Sequence, residues 1–398
     1  MAVIDPISAG DPRHDPEADR QVVTTEWPRA AYIHVPFCRH RCGYCNFTLI
    51  AGRDDLQAAY LQALELELRQ LATPRPVDTL FFGGGTPTHL QPRYLEQLLQ
   101  LARHWFPPSE QAEISVEANP CDISADVVEL LTAAGVNRLS LGVQSFHDEK
   151  LSLLERDHRR ATILQAVNLA QPRFRSLGLD LIFGTPNETL DLWRQDLAEA
   201  LACGISHLST YGLTLERGTA FWSRHQRGEI APLDESLERA LYEEAIDRVT
   251  AAGWEHYEVS NFARPGHRCR HNETYWRGAS YYAAGPGAAR YVAGRREVNH
   301  RSTTTYLNRL LRGESPVAEA EELGPEDRAR ERLVFGLRRL EGVEQSGFER
   351  ETGFQIEQLV GHILPDLLAQ ELLRWQQGHL QLTRAGLCVS DAIWPHFL

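Results

Sequence analysis

The sequence predicts an α/β fold in which an open, six-unit partial barrel of the TIM type precedes a mainly helical C-terminal domain. Three observations lead to this prediction. Short apolar runs alternate six times with segments of helical periodicity between residues 31 and 253. This order favours parallel strands covered by outer helices. Polar residues follow the ends of these runs, and six units are two fewer than a closed barrel needs, so one side is expected to be open.

Chain length predicts more than one domain. The 398 residues exceed the size at which a single hydrophobic core stops growing, roughly 250 to 300 residues. We expect a mobile tail over 1–28, the barrel over 29–253 and the second domain over 254–398. The tail carries acids and prolines where a secretory signal would carry basic and then apolar residues. No apolar run is expected to span a membrane.

Charge and cysteine usage narrow the function classes. The formal net charge of -13 disfavours binding to nucleic acid and to anionic lipid. Three of the seven cysteines are clustered, which is typical of a metal site in a reducing compartment rather than of a disulfide framework. We therefore expect a cytoplasmic protein.

In chain order, each barrel strand is a short β-like run, and a segment with apolar residues at helical spacing follows it. Ser124 is a candidate N-cap, and the stretch 215–230 is expected to be irregular. The predicted strands cover 31–35, 77–82, 112–118, 137–143, 177–183 and 207–213. The predicted helical segments cover 54–71, 92–104, 124–135, 146–170, 188–202 and 233–252.

The alternation of strand and helix stops near residue 254. A stretch rich in Gly, Tyr and Trp reaches about residue 294, and helical patterns follow near 303–313, 325–340 and 355–374. The last residues predict a strand and a closing helix capped by Thr383, as in small winged domains.

Three cysteines directly after the first strand form the pattern C-x3-C-x2-C. Cys38, Cys42 and Cys45 are close enough in sequence to converge on one metal centre. A [4Fe-4S] cluster normally takes four cysteine ligands, so three leave one iron open to a small chelating ligand. The alternative is a structural zinc ion whose fourth ligand would be His34 or His40.

A glycine turn and several polar residues follow the next strands. Gly83–Pro87 lacks the pattern of a phosphate loop or of a dinucleotide site, yet its successive glycines let a ligand approach the backbone closely. Glu117, Gln144 and Asp180 lie at later strand ends, where they can bond ribose hydroxyls. Arg156 can bind a carboxylate bidentately. Together these groups predict a ligand site at the rim.

The motifs of the chain resemble those of a known family. The matching segments are YIHVPFCRHRCGYCNF, FFGGGTPT, ISVEANP, RLSLGVQSF, LLERDH, LGLDLIFGTP, YEVSNFARPG, CRHNETYW and GLRRLEGV. They resemble the coproporphyrinogen oxidase-like branch of the radical S-adenosylmethionine (SAM) superfamily. The resemblance implies that Cys38, Cys42 and Cys45 hold a [4Fe-4S] cluster. It also implies SAM contacts from Tyr32, Tyr44, Gly84, Gly85, Thr86, Glu117, Gln144, Arg156, Asp180 and the backbone near Gly212.

Two positions separate the two groups within this branch. The oxidases carry a fourth cysteine two residues after the third, where this chain has Phe47. The haem chaperones carry H-N-x-x-Y-W, which is present here as 271–276. Imidazole and thiolate are both axial haem ligands, so His271 is the first candidate and Cys269 the second. The alternative for His271 is a histidine packed silently in the interdomain seam.

The chain departs from the chaperone pattern at two positions, and the second departure removes one possible contact to the porphyrin. Asn46 stands where these relatives usually have Asp, and Ala289 stands where they have a histidine. With these departures noted, the resemblance implies a haem chaperone that delivers haem to acceptor proteins, such as respiratory haem enzymes. It also implies an electron donor such as flavodoxin or ferredoxin and is compatible with a homodimer. The rival function is oxygen-independent oxidation of coproporphyrinogen III, and no side chain is assigned a catalytic proton step.

Overall fold

The structure of the protein is a computed structural model that describes residues 27–398. The predicted mobile tail lies outside the described residues except for its last two positions. The strands in chain order are β1 Ala30–Val35, β2 Phe37–Cys38, β3 Ile50–Ala51, β4 Val77–Gly84, β5 Pro108–Ala118, β6 Arg138–Gln144, β7 Ser176–Phe183, β8 His207–Gly212, β9 Glu255–Glu258, β10 Asn261–Ala263, β11 Tyr282–Ala284, β12 Ala289–Val292, β13 Arg295–Asn299, β14 Val317–Glu322, β15 Val343–Glu344, β16 Leu373–Gln376 and β17 His379–Leu382.

The helices surround the main sheet and build most of the C-terminal half. In chain order they are α1 Gln57–Leu68, α2 Pro92–Trp105, α3 Ala125–Ala133, α4 Asp148–Leu153, α5 Arg160–Ala170, α6 Leu190–Ala202, α7 Ala220–Gln226, α8 Glu235–Ala251, α9 Arg270–Trp276, α10 Thr303–Leu311, α11 Pro325–Leu337, α12 Gln345–Thr352, α13 Ile356–Val360, α14 Leu364–Ala369, α15 Arg384–Cys388 and α16 Ser390–Ile393.

The main sheet is an open partial barrel, as predicted. Its strand order is β11-β1-β4-β5-β6-β7-β8-β10-β9. The six predicted strands are parallel neighbours. β11 joins one edge in parallel, and β10 and β9 add antiparallel strands at the other edge. Within residues 27–398 the two edge strands do not pair with each other, so the barrel stays open.

Alternation along each strand separates the core from the barrel lumen. Leu139 and Leu141 on β6 and Leu179 on β7 are 0% exposed, because they point outward against the helices. Ser140 and Asp180 lie between such leucines and point into the lumen, where Ser140 donates a hydrogen bond to Asp180. Each fully buried leucine contributes about 1.5–3 kcal/mol relative to exposure. The outer apolar layer therefore supports a polar interior.

Side-chain caps define several helix starts. The Ser124 hydroxyl accepts from the Val127 N–H, which confirms the predicted cap of α3. Thr383 caps α15 in the same way, through the Gly386 N–H. Such caps stabilise a helix by about 1 kcal/mol because they satisfy an orphan N–H group.

One predicted element is wrong, and a second is divided in two. The stretch 215–230, predicted to be irregular, contains α7, which Thr219 caps and which Phe221 anchors in the core. The helical pattern predicted near 355–374 is divided into two short helices, α13 and α14, because the first ends at Gly361 and the second restarts with a proline in its first turn. The chain then turns into β16.

The predicted strand before Thr383 is β17, and the second half also contains strands that the helical patterns did not predict. Two three-stranded sheets, β12-β13-β14 and β15-β17-β16, pack among its helices. In addition, β9, β10 and β11 extend the main sheet beyond residue 253, the predicted end of the barrel. Within the described part of the chain, every helix is too short or too polar to cross a bilayer.

Candidate functional site

The cysteine loop leaves the carboxyl end of β1 and closes on itself. β2 and β3 pair across its base, where Phe37 lies opposite Ile50 and Cys38 opposite Ala51. Inside the loop, the Cys45 N–H donates to the Cys42 carbonyl at 3.0 Å. This turn brings the second and third cysteines back toward the first.

Two arginines brace the loop through its carbonyl groups. Arg41 donates to the carbonyl oxygens of Cys45, Phe47 and Leu49. Arg301, from the C-terminal half, donates to the Asn46 carbonyl at 2.8 Å. Carbonyl oxygens inside the turn thus gain charge-assisted hydrogen bonds, and the C-terminal half holds the loop directly.

The two histidines proposed as a fourth zinc ligand are placed differently. Among residues 27–398, no three His, Cys, Asp or Glu side chains stand close enough together to hold a single metal ion. Both ring nitrogens of His34 are already bonded, to the Tyr32 hydroxyl and to the Thr48 carbonyl. His34 is therefore not free to complete a zinc site, whereas His40 Nε2 lies 3.6 Å from Cys42 Sγ. A cluster of several irons holds its cysteines farther apart than a single zinc ion does.

Burial keeps two of the thiols protonated until metal binds. It raises the pKa of Cys38 to about 11, although the Thr86 hydroxyl at 3.4 Å opposes the shift. It also raises the pKa of Cys45 above its ordinary value. Metal binding to these residues therefore releases protons.

The glycine turn at the end of β4 packs too closely for side chains. A Cβ on Gly85 would lie 2.7 Å from the Phe37 carbonyl oxygen, and one on Gly84, whose φ is +108°, would meet the His34 ring at 2.3 Å. Gly85 also donates to the Val35 carbonyl at 2.8 Å. The turn therefore lies directly against the base of the cysteine loop.

Two carboxyl groups share the lumen at the carboxyl ends of β5 and β7. The Gly84 N–H donates to Glu117 Oε2 at 3.0 Å. Burial, and next Asp180, raise the pKa of Glu117 to about 7. Burial raises the pKa of Asp180 to about 6, although the hydrogen bonds from Ser209 and Ser140 lower it in part. Buried carboxyl groups with raised pKa values favour a ligand that brings positive charge or hydrogen-bond donors.

Gln144 and Arg156 present unsatisfied polar atoms to the same region. Gln144 has a φ of +69°, which is uncommon for a residue other than glycine, and its buried Oε1 has no partner. Arg156 donates to Cys42 Sγ at 3.4 Å and to the Gly142 carbonyl at 2.8 Å, while its buried Nε has no partner. A ligand that bonds these atoms removes a penalty of about 1–3 kcal/mol for each.

A buried ion-pair network supports the turn after Gln144. Asp196 accepts from the Ser145 hydroxyl and the Phe146 N–H. Lys150 lies 3.1 Å from Asp196 and 2.5 Å from Glu188, and all three side chains are at most 3% exposed. This network holds Gln144 in its unusual conformation.

The remaining predicted SAM residues lie around the same opening. Tyr44 packs edge-on against Phe221 of α7, with ring centroids 6.2 Å apart. Thr86 joins the glycine turn to Cys38, and Gly212 ends β8 opposite Phe183 of β7. Tyr32 lies deeper in the lumen. The structure thus brings together at one end of the barrel all of the predicted cluster residues and the predicted SAM residues other than Tyr32.

Sequence reasoning missed three lumen residues near the carboxyl pair. Ser140 and Ser209 bond to Asp180, and the Tyr211 side chain on β8 is 43% exposed to the open lumen. The available signal was a polar residue alternating with apolar ones inside a strand. The sequence prediction named the polar residues at the strand ends, and not those inside the strands.

The predicted haem residues lie at the other end of the barrel. His271 Nδ1 is 2.9 Å from the hydroxyl of Thr79, near the start of β4, and Nε2 is 2.8 Å from the Tyr275 hydroxyl. The strand rise from Thr79 to Gly84 gives about 17 Å between these levels. Burial lowers the pKa of His271 to about 3, so its imidazole is neutral. Cys269 is buried beside it, 3.6 Å from Glu113.

The chain is similar to radical SAM proteins and to heme chaperones. Residues 32–200 match the model of the radical SAM superfamily, and residues 323–389 match that of the HemN C-terminal domain. The heme chaperone HemW of Bacillus subtilis is 34% identical over 93% of this chain and 99% of its own length. The heme chaperone HemW of Synechocystis is 39% identical over 79% of each chain.

A solved structure supports the fold. Coproporphyrinogen III oxidase (HemN) from Escherichia coli, described as a radical SAM enzyme, superposes with a TM-score of 0.82 at 25% identity. The match covers 94% of this chain and 90% of that one. The partial barrel and the C-terminal half thus both have counterparts in a solved structure.

Proposed function

Because this chain belongs to the HemW family of radical SAM proteins, we propose that it is a haem chaperone that binds haem and delivers it to acceptor haem proteins. Its function would depend on a [4Fe-4S] cluster held by Cys38, Cys42 and Cys45 and on SAM. Respiratory haem enzymes are the acceptors we propose, and flavodoxin or ferredoxin the electron donor. Seven free cysteines support a reducing, cytoplasmic setting.

The observation that carries the proposal is the pairing of a three-cysteine loop with the haem segment 271–276. In the oxidases of this branch a fourth cysteine is expected at position 47. Here Phe47 is 67% exposed on the outside of the loop. The chain therefore keeps the cluster residues and lacks a residue expected of the oxidase, while the segment expected of the chaperones is present.

Different residues at the rim would bind different parts of SAM. Bound to a reduced cluster, SAM supplies radical chemistry. Glu117 and Asp180 would accept hydrogen bonds from hydroxyl or amino groups, and the Arg156 guanidinium would bind a carboxylate. The glycine turn at 84–85 lets a ligand lie against the backbone. The buried atoms of Gln144 and Arg156 that lack partners fit such a ligand.

Haem binding through His271 requires its surroundings to rearrange, because its buried ring packs against the rings of Phe81 and Tyr275. Its Nε2 bonds the Tyr275 hydroxyl, so coordination at this nitrogen requires that tyrosine to turn away. The neutral state of the imidazole is already the state that binds iron. We also propose a homodimer and a division into 29–253 and 254–398, in which β9, β10 and β11 of the second part complete the main sheet.

The test compares two variants that perturb the same hydrogen bond. His271→Ala should lose most haem binding in a Soret titration while the reconstituted cluster keeps its absorption spectrum. Tyr275→Phe should bind haem at least as tightly as the wild type, because it releases Nε2 without removing it. His362→Ala, at a histidine in the C-terminal half, serves as the matched control.

The outcomes show whether His271 is a haem ligand or only a packed residue. Wild-type haem affinity in His271→Ala would remove this residue from the haem site. Anaerobic incubation with reductant, SAM and coproporphyrinogen III should give no protoporphyrinogen, and stoichiometric product would favour the oxidase function instead. Transfer is tested by mixing the haem-loaded chain with an apo respiratory haem protein and following the acceptor's spectrum.

A further inference from the structure

A cavity of about 390 Å³ opens below the barrel, at the amino-terminal ends of β5, β6 and β7. None of the roles described above uses it. Its lining combines strand residues with residues of the segment that carries Cys269 and His271. Those that matter here are Glu113, Arg138, Arg175, Arg268, Arg270 and Glu273. We call this cavity the arginine pocket.

Two of the four arginines in the pocket are free of ion pairs. Arg138 binds Glu113 at 2.9 Å, and Arg268 binds Glu255 at 2.7 Å. Across residues 27–398, no carboxylate approaches Arg175 or Arg270 within 4.0 Å, and both are exposed, although Arg270 Nη1 donates to the Gln111 carbonyl at 2.7 Å. In a chain with a net charge of -13, a concave surface with two uncompensated guanidinium groups favours an anionic ligand.

A histidine next to the pocket lies in the positive potential of the same arginines. His267 lies next to Gly266 of the lining and bonds the Ser176 hydroxyl at 2.8 Å. Burial lowers the pKa of His267, and the charges of Arg138, Arg175 and Arg264 lower it further. The lining carries four arginines against three glutamates, at 113, 255 and 273, so positive charge exceeds negative charge by one.

The pocket shares its wall with the haem segment. Glu113 Oε1 accepts from the His271 N–H at 3.2 Å and lies 3.6 Å from Cys269 Sγ. Arg268 and Arg270 flank Cys269 in sequence. A ligand held near Cys269 would therefore lie beside the wall of the arginine pocket.

We infer that the arginine pocket binds the propionate carboxylates of haem, chiefly through Arg175 and Arg270. This inference rests on the proposed function, since it assumes that haem is the cargo. Guanidinium groups pair with carboxylates in bidentate geometry. In this arrangement the pocket takes the charged edge of haem, while the segment 269–276 holds the iron side.

The test removes the charge from each partner in turn. Haem and haem dimethyl ester, in which both carboxylates are esterified, are titrated into the full-length chain with its cluster. The variant Arg175→Gln/Arg270→Gln is compared with Arg312→Gln/Arg350→Gln, which changes the net charge equally at two exposed sites outside the pocket. Circular dichroism checks that each variant folds.

We expect the pocket variant to raise the Kd for haem about tenfold, equivalent to about 1.4 kcal/mol, and to leave the Kd for the ester unchanged. The wild type should bind the ester about tenfold more weakly than haem, again about 1.4 kcal/mol. Equal haem affinity in the wild type and the pocket variant would overturn the inference alone. If the pocket variant bound haem and the ester more weakly by the same factor, that result would also overturn the inference. A wild type that binds no haem would overturn the proposed function and this inference together.

Discussion

Replacing Glu117 by Gln should stabilise the ligand-free protein above neutral pH while weakening its affinity for SAM. Glu117 is enclosed in the lumen, where burial and then Asp180 raise its pKa to about 7 from an ordinary value of 4.5. Its ionised form is therefore less favourable in the fold than in the unfolded chain. The same carboxylate is the group we expect to accept a hydrogen bond from SAM.

The sign and the size of the effect follow from proton linkage. Because the folded pKa lies above the unfolded value, the folded chain retains the proton between about pH 4.5 and 7, and the free energy of unfolding falls as the pH rises through this interval. The full difference corresponds to roughly 3 kcal/mol. Glu117 keeps some contact with water in the lumen, and this screening reduces the expected penalty to about 2 kcal/mol.

The assay is urea unfolding of the reduced, cluster-free chain at about pH 5 and about pH 8. Glu117→Gln should match the wild type at the lower pH and exceed it by about 2 kcal/mol at the higher. The substituted amide oxygen still accepts from the Gly84 N–H, so the turn is preserved. Glu110→Gln, at an exposed position of β5, is the matched control. A stability difference independent of pH would refute the reasoning.

Three further predictions concern the parts that hold the site together. Gly85→Ala places a Cβ 2.7 Å from a backbone oxygen of the cysteine loop, so it should cost about 1–3 kcal/mol and lower the iron content after reconstitution. Arg156→Gln removes a cation 3.4 Å from Cys42, so the cluster's reduction potential, followed by EPR titration, should fall by roughly 50 mV. Lys150→Arg forces a larger cation between two buried carboxylates, so it should destabilise the chain by several kcal/mol in urea unfolding, approaching the roughly 3–5 kcal/mol of a broken buried pair.

The last of these residues illustrates what the sequence could have revealed. Lys150 is the only lysine in a chain that otherwise uses arginine for every basic side chain. An ammonium group is compact, whereas a guanidinium group is planar and wider. The exception therefore indicated a confined position, and the structure places it between Glu188 and Asp196.

The six barrel strands and the rim were predictable because their signals are local. Each strand is an apolar run that ends in a polar residue or glycine, and parallel strands bring such ends to one edge. The strands β9, β10 and β11 were not predictable, because three or four residues carry too little periodicity. α7 was missed for a similar reason, since its position depends on Phe221 packing against the cysteine loop.

The distance between the cluster residues and the haem segment could not be read from the sequence, yet contacts join the two ends. The His271 ring lies 6.4 Å from that of Tyr32, whose hydroxyl bonds His34 at 3.0 Å. The other nitrogen of His34 bonds the Thr48 carbonyl in the cysteine loop, which Arg301 also holds. A cluster that reshapes this loop acts on His34 and Tyr32 and so on the packing of His271. Cluster assembly and haem binding should therefore be linked, and linkage requires each to change the affinity for the other by the same factor.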